Sequence, residues 1–344
     1  MSSRSGDRVF ARGSWGLLLL LLLTTPAYAN TERLSGELNL AGGLYSNDAD
    51  LFRTHPQPGV GFEHFKKWST DEGDWLTTSL QMRFIFNTEI DNFEPDVMDA
   101  YANFRRDNGQ ANIKVGKFEI PYGLEPVLDT HGTLLQSGNH HNLGTLWDWG
   151  VDLNGQLDTV DYQISALTGD FSQIYPHHEQ DSWLISGRVG SPRTGEDDAW
   201  GLSIAAGHTV PSMHEEAMPH DEHEEMEPEA MDLVRVGGDY TRWAGPATWL
   251  AEASVGTDDG DPMASAWARY EYIPLQHDRW KYSLQAEGIW RDAEHLDDFT
   301  ELSAGLDYQL APDITVRLMA SHAFTNGSGD PDDRLILQYY YFGQ

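Results

Sequence analysis

The chain has 344 residues, no cysteine, and 22 Lys and Arg against 55 Asp and Glu, which gives a formal net charge of −33 at pH 7. The lack of cysteine excludes disulfides, thiolate metal sites and a cysteine nucleophile. The acidic balance argues against a nucleic-acid partner, which requires a basic surface. It is typical of a protein that repels anions or attracts cations.

The first 29 residues are predicted to be an export signal that is removed from the mature protein. Three arginines within the first twelve residues precede an apolar run at 15–23, and the Ala-Tyr-Ala sequence at 27–29 matches a small-x-small cleavage site. The apolar run is shorter than the roughly 20 residues that a transmembrane helix needs. The mature chain, 30–344, is expected to be a single unit. No later stretch resembles a membrane-spanning helix.

The mature chain is dominated by a two-residue period in segments of about ten residues, which is the pattern of barrel strands. The clearest example is 280–290. One face is apolar and has tryptophan at both ends: Trp280, Tyr282, Leu284, Ala286, Gly288 and Trp290. The other face is mostly polar: Lys281, Ser283, Gln285, Glu287 and Ile289. Aromatic residues at both ends of an apolar face favour a strand whose outer face crosses lipid between two interfaces.

The same period predicts sixteen strands, an even number, as expected for a single-chain bacterial barrel. The predicted ranges are 34–45, 58–67, 75–87, 97–106, 111–118, 148–157, 160–169, 182–190, 199–209, 232–243, 247–256, 263–273, 280–291, 299–309, 313–324 and 333–342. Long and short connections mostly alternate between them. The predicted fold class is all-β: a transmembrane antiparallel β-barrel with long outer loops and short periplasmic turns.

The longest predicted connection, 119–147, follows the fifth strand and has two interpretations. In a sixteen-stranded porin, the loop at this place folds into the lumen and narrows the pore. Its acidic residues Glu119, Glu125 and Asp129 would then line a constriction. The alternative is an ordinary outer loop, and the sequence does not separate the two.

The stretch 115–125, Val-Gly-Lys-Phe-Glu-Ile-Pro-Tyr-Gly-Leu-Glu, resembles the signature Gly-[Arg/Lys]-Phe-x-x-Pro-[Phe/Tyr]-Gly-Leu-Glu of the phosphate-selective porins O and P. It stands at the end of the fifth predicted strand, where that family places it. The resemblance implies a homotrimeric outer-membrane channel for anions. About eleven residues carry the specific match, and the strand count and export signal agree with it.

The pore-lining residues expected from strand parity depart from that family, which lines its pore with many arginines and lysines. The inward-facing basic residues are Arg83, Lys114, Arg188, Arg235, Arg269, Lys281 and Arg317. The interleaved inward-facing acids are Asp99, Asp152, Glu252, Glu271, Glu287, Glu301 and Asp307. A lumen of mixed sign predicts a weakly selective or cation-favouring pore, with an anion-selective, phosphate-type porin as the alternative.

The predicted outer loop at 210–231 has a distinct composition, because 213–229 is rich in histidine, methionine and glutamate. Imidazole and thioether groups suit copper and similar metals, whereas carboxylates suit harder cations. One interpretation is therefore weak capture of a divalent or copper ion by His214, His220 and His223. The other is a solvated, disordered acidic loop, since like charges repel and resist packing.

These patterns together predict a passive channel for small hydrophilic solutes or ions, embedded in outer-membrane lipid. No nucleophile–base grouping indicates an enzyme, and no motif indicates a resident cofactor. Two alternatives remain: an outer-membrane protein that captures metal ions through the 213–229 loop, and a structural barrel with a plugged lumen.

Deletion of 213–229 tests the metal hypothesis. If the loop captures ions, the deletion variant loses copper or zinc binding in calorimetry and keeps nearly all of its conductance, because a predicted outer loop is not expected to form part of the pore wall. A deletion that also changes ion preference contradicts this separation between capture and conduction.

Overall fold

The computed structural model describes residues 31–46, 58–71, 73–87, 92–106, 109–128, 131–135, 142–143, 146–170, 181–193, 198–210, 230–291, 299–326 and 332–344. The predicted export signal lies outside this part of the chain. In the described ranges, no helix is long and apolar enough to cross a membrane.

The described chain forms sixteen strands and one short 3₁₀ helix, Glu125–Val127. The strands are β1 (Thr31–Tyr45), β2 (Gly59–Thr70), β3 (Gly73–Asn87), β4 (Asn92–Arg106), β5 (Ala111–Glu119), β6 (Trp147–Gln156), β7 (Asp161–Leu167), β8 (Trp183–Gly190), β9 (Ala199–Thr209), β10 (Met231–Ala244), β11 (Ala247–Asp258), β12 (Asp261–Tyr272), β13 (Trp280–Arg291), β14 (Phe299–Ala311), β15 (Ile314–Asn326) and β16 (Asp332–Gly343).

These strands close into one antiparallel barrel, which confirms the predicted fold. Each strand pairs with its neighbours in the chain, and β1 pairs with β16 from Gly36↔Gly343 to Tyr45↔Arg334. All sixteen predicted strands are present. The largest difference is β4, which begins at Asn92 instead of 97, because β3 continues to Asn87 and provides ladder partners as far as Asn92.

The outer surface of the barrel is a band of exposed apolar side chains. Leu284, Leu337 and Val255 are 59%, 57% and 61% exposed, whereas the neighbours Ser283 and Gln285 are buried. Successive strand residues point to opposite faces, so alternation in sequence becomes an apolar exterior and a polar interior. The faces assigned to 280–290 from the sequence are thus confirmed.

Aromatic side chains border this band at both ends. At one end, Trp249 packs on Tyr270 and Trp280 packs on Tyr308, with ring centroids 4.5 and 4.4 Å apart. At the other end, Trp290 is about half exposed. Aromatic belts of this kind lie where hydrocarbon meets headgroups.

The two ends of the barrel differ in the length of their connections. One end, here the short-turn end, holds turns such as 245–246 and 312–313 together with Thr31 and Gly343. The opposite, long-loop end holds connections such as 120–146 and 210–230. The predicted alternation is therefore present, although the connection 259–260 at the long-loop end is short.

A charge placed within the apolar band is expected to destabilise the barrel in a depth-dependent way. Leu284→Arg, at the middle of β13, should cost about 2–4 kcal/mol of unfolding free energy, and Thr300→Arg, near the long-loop end of β14, about 0–1 kcal/mol. Denaturant titration of protein folded into phospholipid vesicles measures both. Equal costs at the two depths would contradict the assignment of the band to lipid.

Candidate functional site

The connection between β5 and β6, residues 120–146, lies inside the barrel in its described parts and is called the lumen loop below. Ser186 Oγ on β8 donates to the Pro121 carbonyl oxygen at 3.1 Å, and the Gly123 amide donates to Ser203 Oγ on β9 at 2.9 Å. Both serines are buried on inward strand faces. Of the two interpretations open at the sequence level, the described residues therefore agree with a loop that enters the lumen.

The first limb of the lumen loop is held by a tyrosine and a backbone amide. The Tyr122 hydroxyl donates to Ser254 Oγ at 2.8 Å, and the Leu124 amide donates to Glu252 Oε2 at 2.8 Å. Burial raises the pKa of the Tyr122 phenol to about 12, so the phenol remains a neutral donor. Gly123 has a φ of +60°, and a Cβ there would meet the Glu252 carboxylate, which explains glycine at this turn.

The middle of the lumen loop reaches the opposite side of the barrel. The His131 ring lies 4.4 Å from the Phe342 ring on β16, and its Nε2 lies 3.3 Å from Glu63 Oε2 on β2. Gly132 packs so closely on Tyr340 that a Cβ would lie 2.6 Å from the ring. The loop thus spans the lumen from β8–β11 to β16 and β2.

The second limb returns to the side where the first began. Arg269 Nη2 on β12 donates to the Leu135 carbonyl oxygen at 2.6 Å. Further on, Asn142 Nδ2 donates to Ser254 Oγ at 3.1 Å, and Asn142 Oδ1 accepts from Arg235 Nε at 3.1 Å. The two limbs therefore meet at Ser254.

Three buried apolar clusters hold the lumen loop against the wall. The first comprises Phe118, Ile120, Tyr122, Leu143, Leu167, Leu184, Ala205 and Leu233; the second Leu134, Leu135, Met319 and Ile336; the third Leu124, Leu250 and Trp267. Each combines loop residues with inward-facing strand residues. Burial of apolar surface contributes roughly 25 cal/mol of favourable free energy per Å². This contribution favours one fixed position of the lumen loop.

All seven basic residues predicted from strand parity lie on the inward side, and six are in ion pairs with wall acids. Arg83 pairs with Glu37 (2.7 Å), Arg188 with Asp239 (2.7 Å), Arg235 with Asp258, Arg269 with Glu271 (3.7 Å), Lys281 with Glu271 (3.5 Å) and Asp307 (3.3 Å), and Arg317 with Asp307 (3.6 Å). Lys114 Nζ lies 5.0 Å from the ring centroids of Tyr101 and Phe118. The charges of this set are therefore largely compensated locally.

The interior is covered unevenly. On β8–β11, here the covered wall, Ser186, Arg235 and Glu252 are buried. On β13 and β4 the coverage is less complete near the short-turn end, where the side chains of Lys281 and Arg105 are 34% and 35% exposed. Water therefore reaches the interior at these two positions, whereas mid-strand residues such as Gln285 and Gln338 are buried.

A turn at the short-turn end extends this coverage. Arg193, after β8, folds inward so that its Nη2 donates to Thr241 Oγ1 at 2.5 Å and its guanidinium lies 5.7 Å from the Trp243 ring. Thr241 and nearby Arg188 are buried. The covered wall is thus shielded from the middle by the lumen loop and from one end by this turn.

The remaining predicted site residues are only partly described. Glu119 ends β5 opposite Trp147. Glu125 begins the 3₁₀ helix, but its side chain lies outside the described residues, as do Asp129 and the proposed metal ligands His214, His220 and His223. Among the described residues, no three His, Asp or Glu side chains are grouped to hold a metal ion.

The sequence pattern does not identify Ser186, Ser203 and Ser254 as loop contacts, and it identifies Glu252 only as an inward acid. Their inward orientation follows from the two-residue period. Nothing local distinguishes a serine that meets the lumen loop from one that meets water, because that depends on where a distant segment lies.

Comparisons with solved structures show the fold. The chain is similar to a loop-deletion mutant of OmpT, an outer membrane protein of Vibrio cholerae (12% identity, 92% of this chain and 100% of that chain, TM-score 0.66). It is also similar to an anion-selective porin from Comamonas acidovorans (10% identity, 91% and 99%, TM-score 0.65) and to the outer membrane channel DcaP of Acinetobacter baumannii (12% identity, 91% and 97%, TM-score 0.61). No protein-family model and no curated protein sequence matches the chain.

Cysteine substitution distinguishes the covered wall from the partly exposed positions without background, since the chain has no cysteine. Lys281→Cys and Arg105→Cys should react rapidly with a charged methanethiosulfonate reagent, because water reaches these positions. Ser186→Cys and Ser203→Cys should react slowly in the folded protein. Mass spectrometry of timed samples gives the rates, and comparable rates at all four positions would refute the uneven coverage.

Proposed function

We propose that this chain is an outer-membrane porin through which small hydrophilic solutes or ions diffuse passively. The observation that carries the proposal is a closed barrel with an apolar exterior and a polar interior, in which charged side chains such as those of Lys281 and Arg105 stay partly exposed beside the inner loop. Exposed charges such as Lys281 and Arg105 need water around them, and a water-filled path through an apolar band is a diffusion route.

The membrane location and orientation of the proposed channel are inferred from its exterior and its connections. The apolar band with aromatic borders fits the lipid of the bacterial outer membrane, with the long-loop end outside and the short turns in the periplasm. A homotrimer is proposed from the resemblance of 115–125 to the phosphate-selective porins O and P. One of the similar structures, OmpT of Vibrio cholerae, is described in a trimer form.

Weak selectivity is proposed, because the inward basic residues have acidic neighbours. Lys281 lies between Glu271 and Asp307, and Arg83 is paired with Glu37. A ring of unpaired arginines and lysines, which a phosphate-selective pore would need, is not formed by the described residues of this set. The excess acid of the whole chain favours cations at the mouths.

A barrel with a closed lumen is the second candidate. The observation that favours it is the extent to which three apolar clusters and the polar contacts of the lumen loop fill the interior. Such a barrel would serve as a structural or interaction protein. Conductance separates the two candidates directly.

Planar-bilayer recording of the purified, refolded protein is expected to give stable, ohmic single channels. Under a salt gradient, the reversal potential should be small compared with the limit for an ideally selective pore. Its sign should indicate a modest preference for cations. A strongly anion-selective potential would support the phosphate-type alternative. Complete absence of conductance would support the closed barrel.

A further inference from the structure

Both limbs of the lumen loop are tied to one small area of the covered wall. Ser254 Oγ on β11 accepts hydrogen bonds from Tyr122 of the first limb and from Asn142 of the second, at 2.8 and 3.1 Å. A hydroxyl oxygen has two lone pairs, so one serine can hold both limbs. Arg235 and Glu252 flank this junction.

Arg235 on β10 has its donors directed at fixed partners. Its Nε donates to Asn142 Oδ1, and its Nη1 donates to the carbonyl oxygens of Val234 and Thr257 at 3.0 and 2.7 Å. Its Nη2 donates to Asp258. The residue is 1% exposed, and its planar fork cannot rotate without breaking several of these bonds at once. The guanidinium therefore holds Asn142 of the second limb at a fixed position on the wall.

Glu252 on β11 performs the corresponding task for the first limb. Its carboxylate accepts from the Leu124 amide at 2.8 Å and packs against Gly123, whose lack of a side chain permits the approach. The residue is 5% exposed. A buried, charged acceptor makes a stronger hydrogen bond to an amide than a neutral one does.

The far end of the lumen loop contacts the opposite side of the barrel. His131 Nε2 lies 3.3 Å from Glu63 Oε2, Gly132 packs on Tyr340, and Arg317 Nη2 donates to the His131 carbonyl oxygen at 3.5 Å. The covered wall therefore holds the two limbs, and β16 and β2 hold the tip.

We propose that Arg235 and Glu252 are positioning residues that set the width of the passage by holding the two limbs of the lumen loop on the covered wall. This inference rests on the proposed porin function. Both side chains are buried, so they act through the loop and not by contact with a solute.

Single-channel recording with neutral polymers of graded size tests the inference. Arg235→Met and Glu252→Ala should raise the conductance and admit larger polymers than the wild type does. Glu252→Gln keeps an acceptor oxygen and should remain close to the wild type. Arg235→Met combined with Asn142→Ala should have no more effect than Asn142→Ala alone, because Asn142→Ala already removes the bond to Arg235 together with the bond to Ser254.

Arg188→Met is the matched control. Arg188 is also buried on the covered wall and hydrogen-bonded to a carboxylate, but that carboxylate, Asp239, belongs to β10 and not to the lumen loop. Arg188→Met should lose stability in denaturant and keep the wild-type conductance and polymer limit. If Arg235→Met and Glu252→Ala behave in the same way as this control, the positioning role is wrong.

A second measurement does not depend on conduction. In a Ser203→Cys background, Glu252→Ala should increase thiol labelling several-fold, because Glu252 holds the first limb, whose Gly123 lies against Ser203. Arg188→Met should leave labelling unchanged. A wild type that never conducts refutes the proposed function alone, whereas unchanged labelling in the Glu252 variant refutes the positioning role alone.

Discussion

The structure depends on one constraint: in lipid, every backbone N–H and C=O group must find its partner within the protein. Sixteen strands meet it by closing on themselves through the β1–β16 ladder, which leaves no free edge. Closure makes the two strand faces unequal, one towards hydrocarbon and one towards an enclosed space. The exposed leucines outside and the buried serines inside are both consequences of this ring of hydrogen bonds.

Closure of the barrel encloses a polar interior, which must be partly filled while a passage for solutes stays open. The described parts of the lumen loop pack against β8–β11 on one side and β15 and β16 on the other, through three apolar clusters and a few polar attachments. Apolar residues such as Met319 and Ile336 inside a polar barrel are explained by the loop leucines that cover them. Charged side chains near the short-turn end, such as Lys281, stay partly exposed.

The charges of the interior differ from the charge of the whole chain. Although the sequence has a net charge of −33, six of the seven predicted inward arginines and lysines are paired with carboxylates on the same, an adjacent or a next-but-one strand. In several pairs the base covers the acid: the side chain of Arg33 is 44% exposed against 9% for Glu63, and that of Arg334 is 25% exposed against 12% for Glu301. Net charge is therefore a poor guide to what a permeating ion would meet.

The sequence alone was sufficient for the fold class, all sixteen strands and the inward or outward direction of residues such as Lys281 and Gln285. These follow from a two-residue period, which is a property of local backbone geometry. Only the tertiary structure decided that the lumen loop enters the barrel, that Ser254 and Arg235 meet it, and that Lys281 stays exposed while Arg235 is buried. Those outcomes join residues more than ninety positions apart, and no local pattern records which distant segments will meet once the barrel closes.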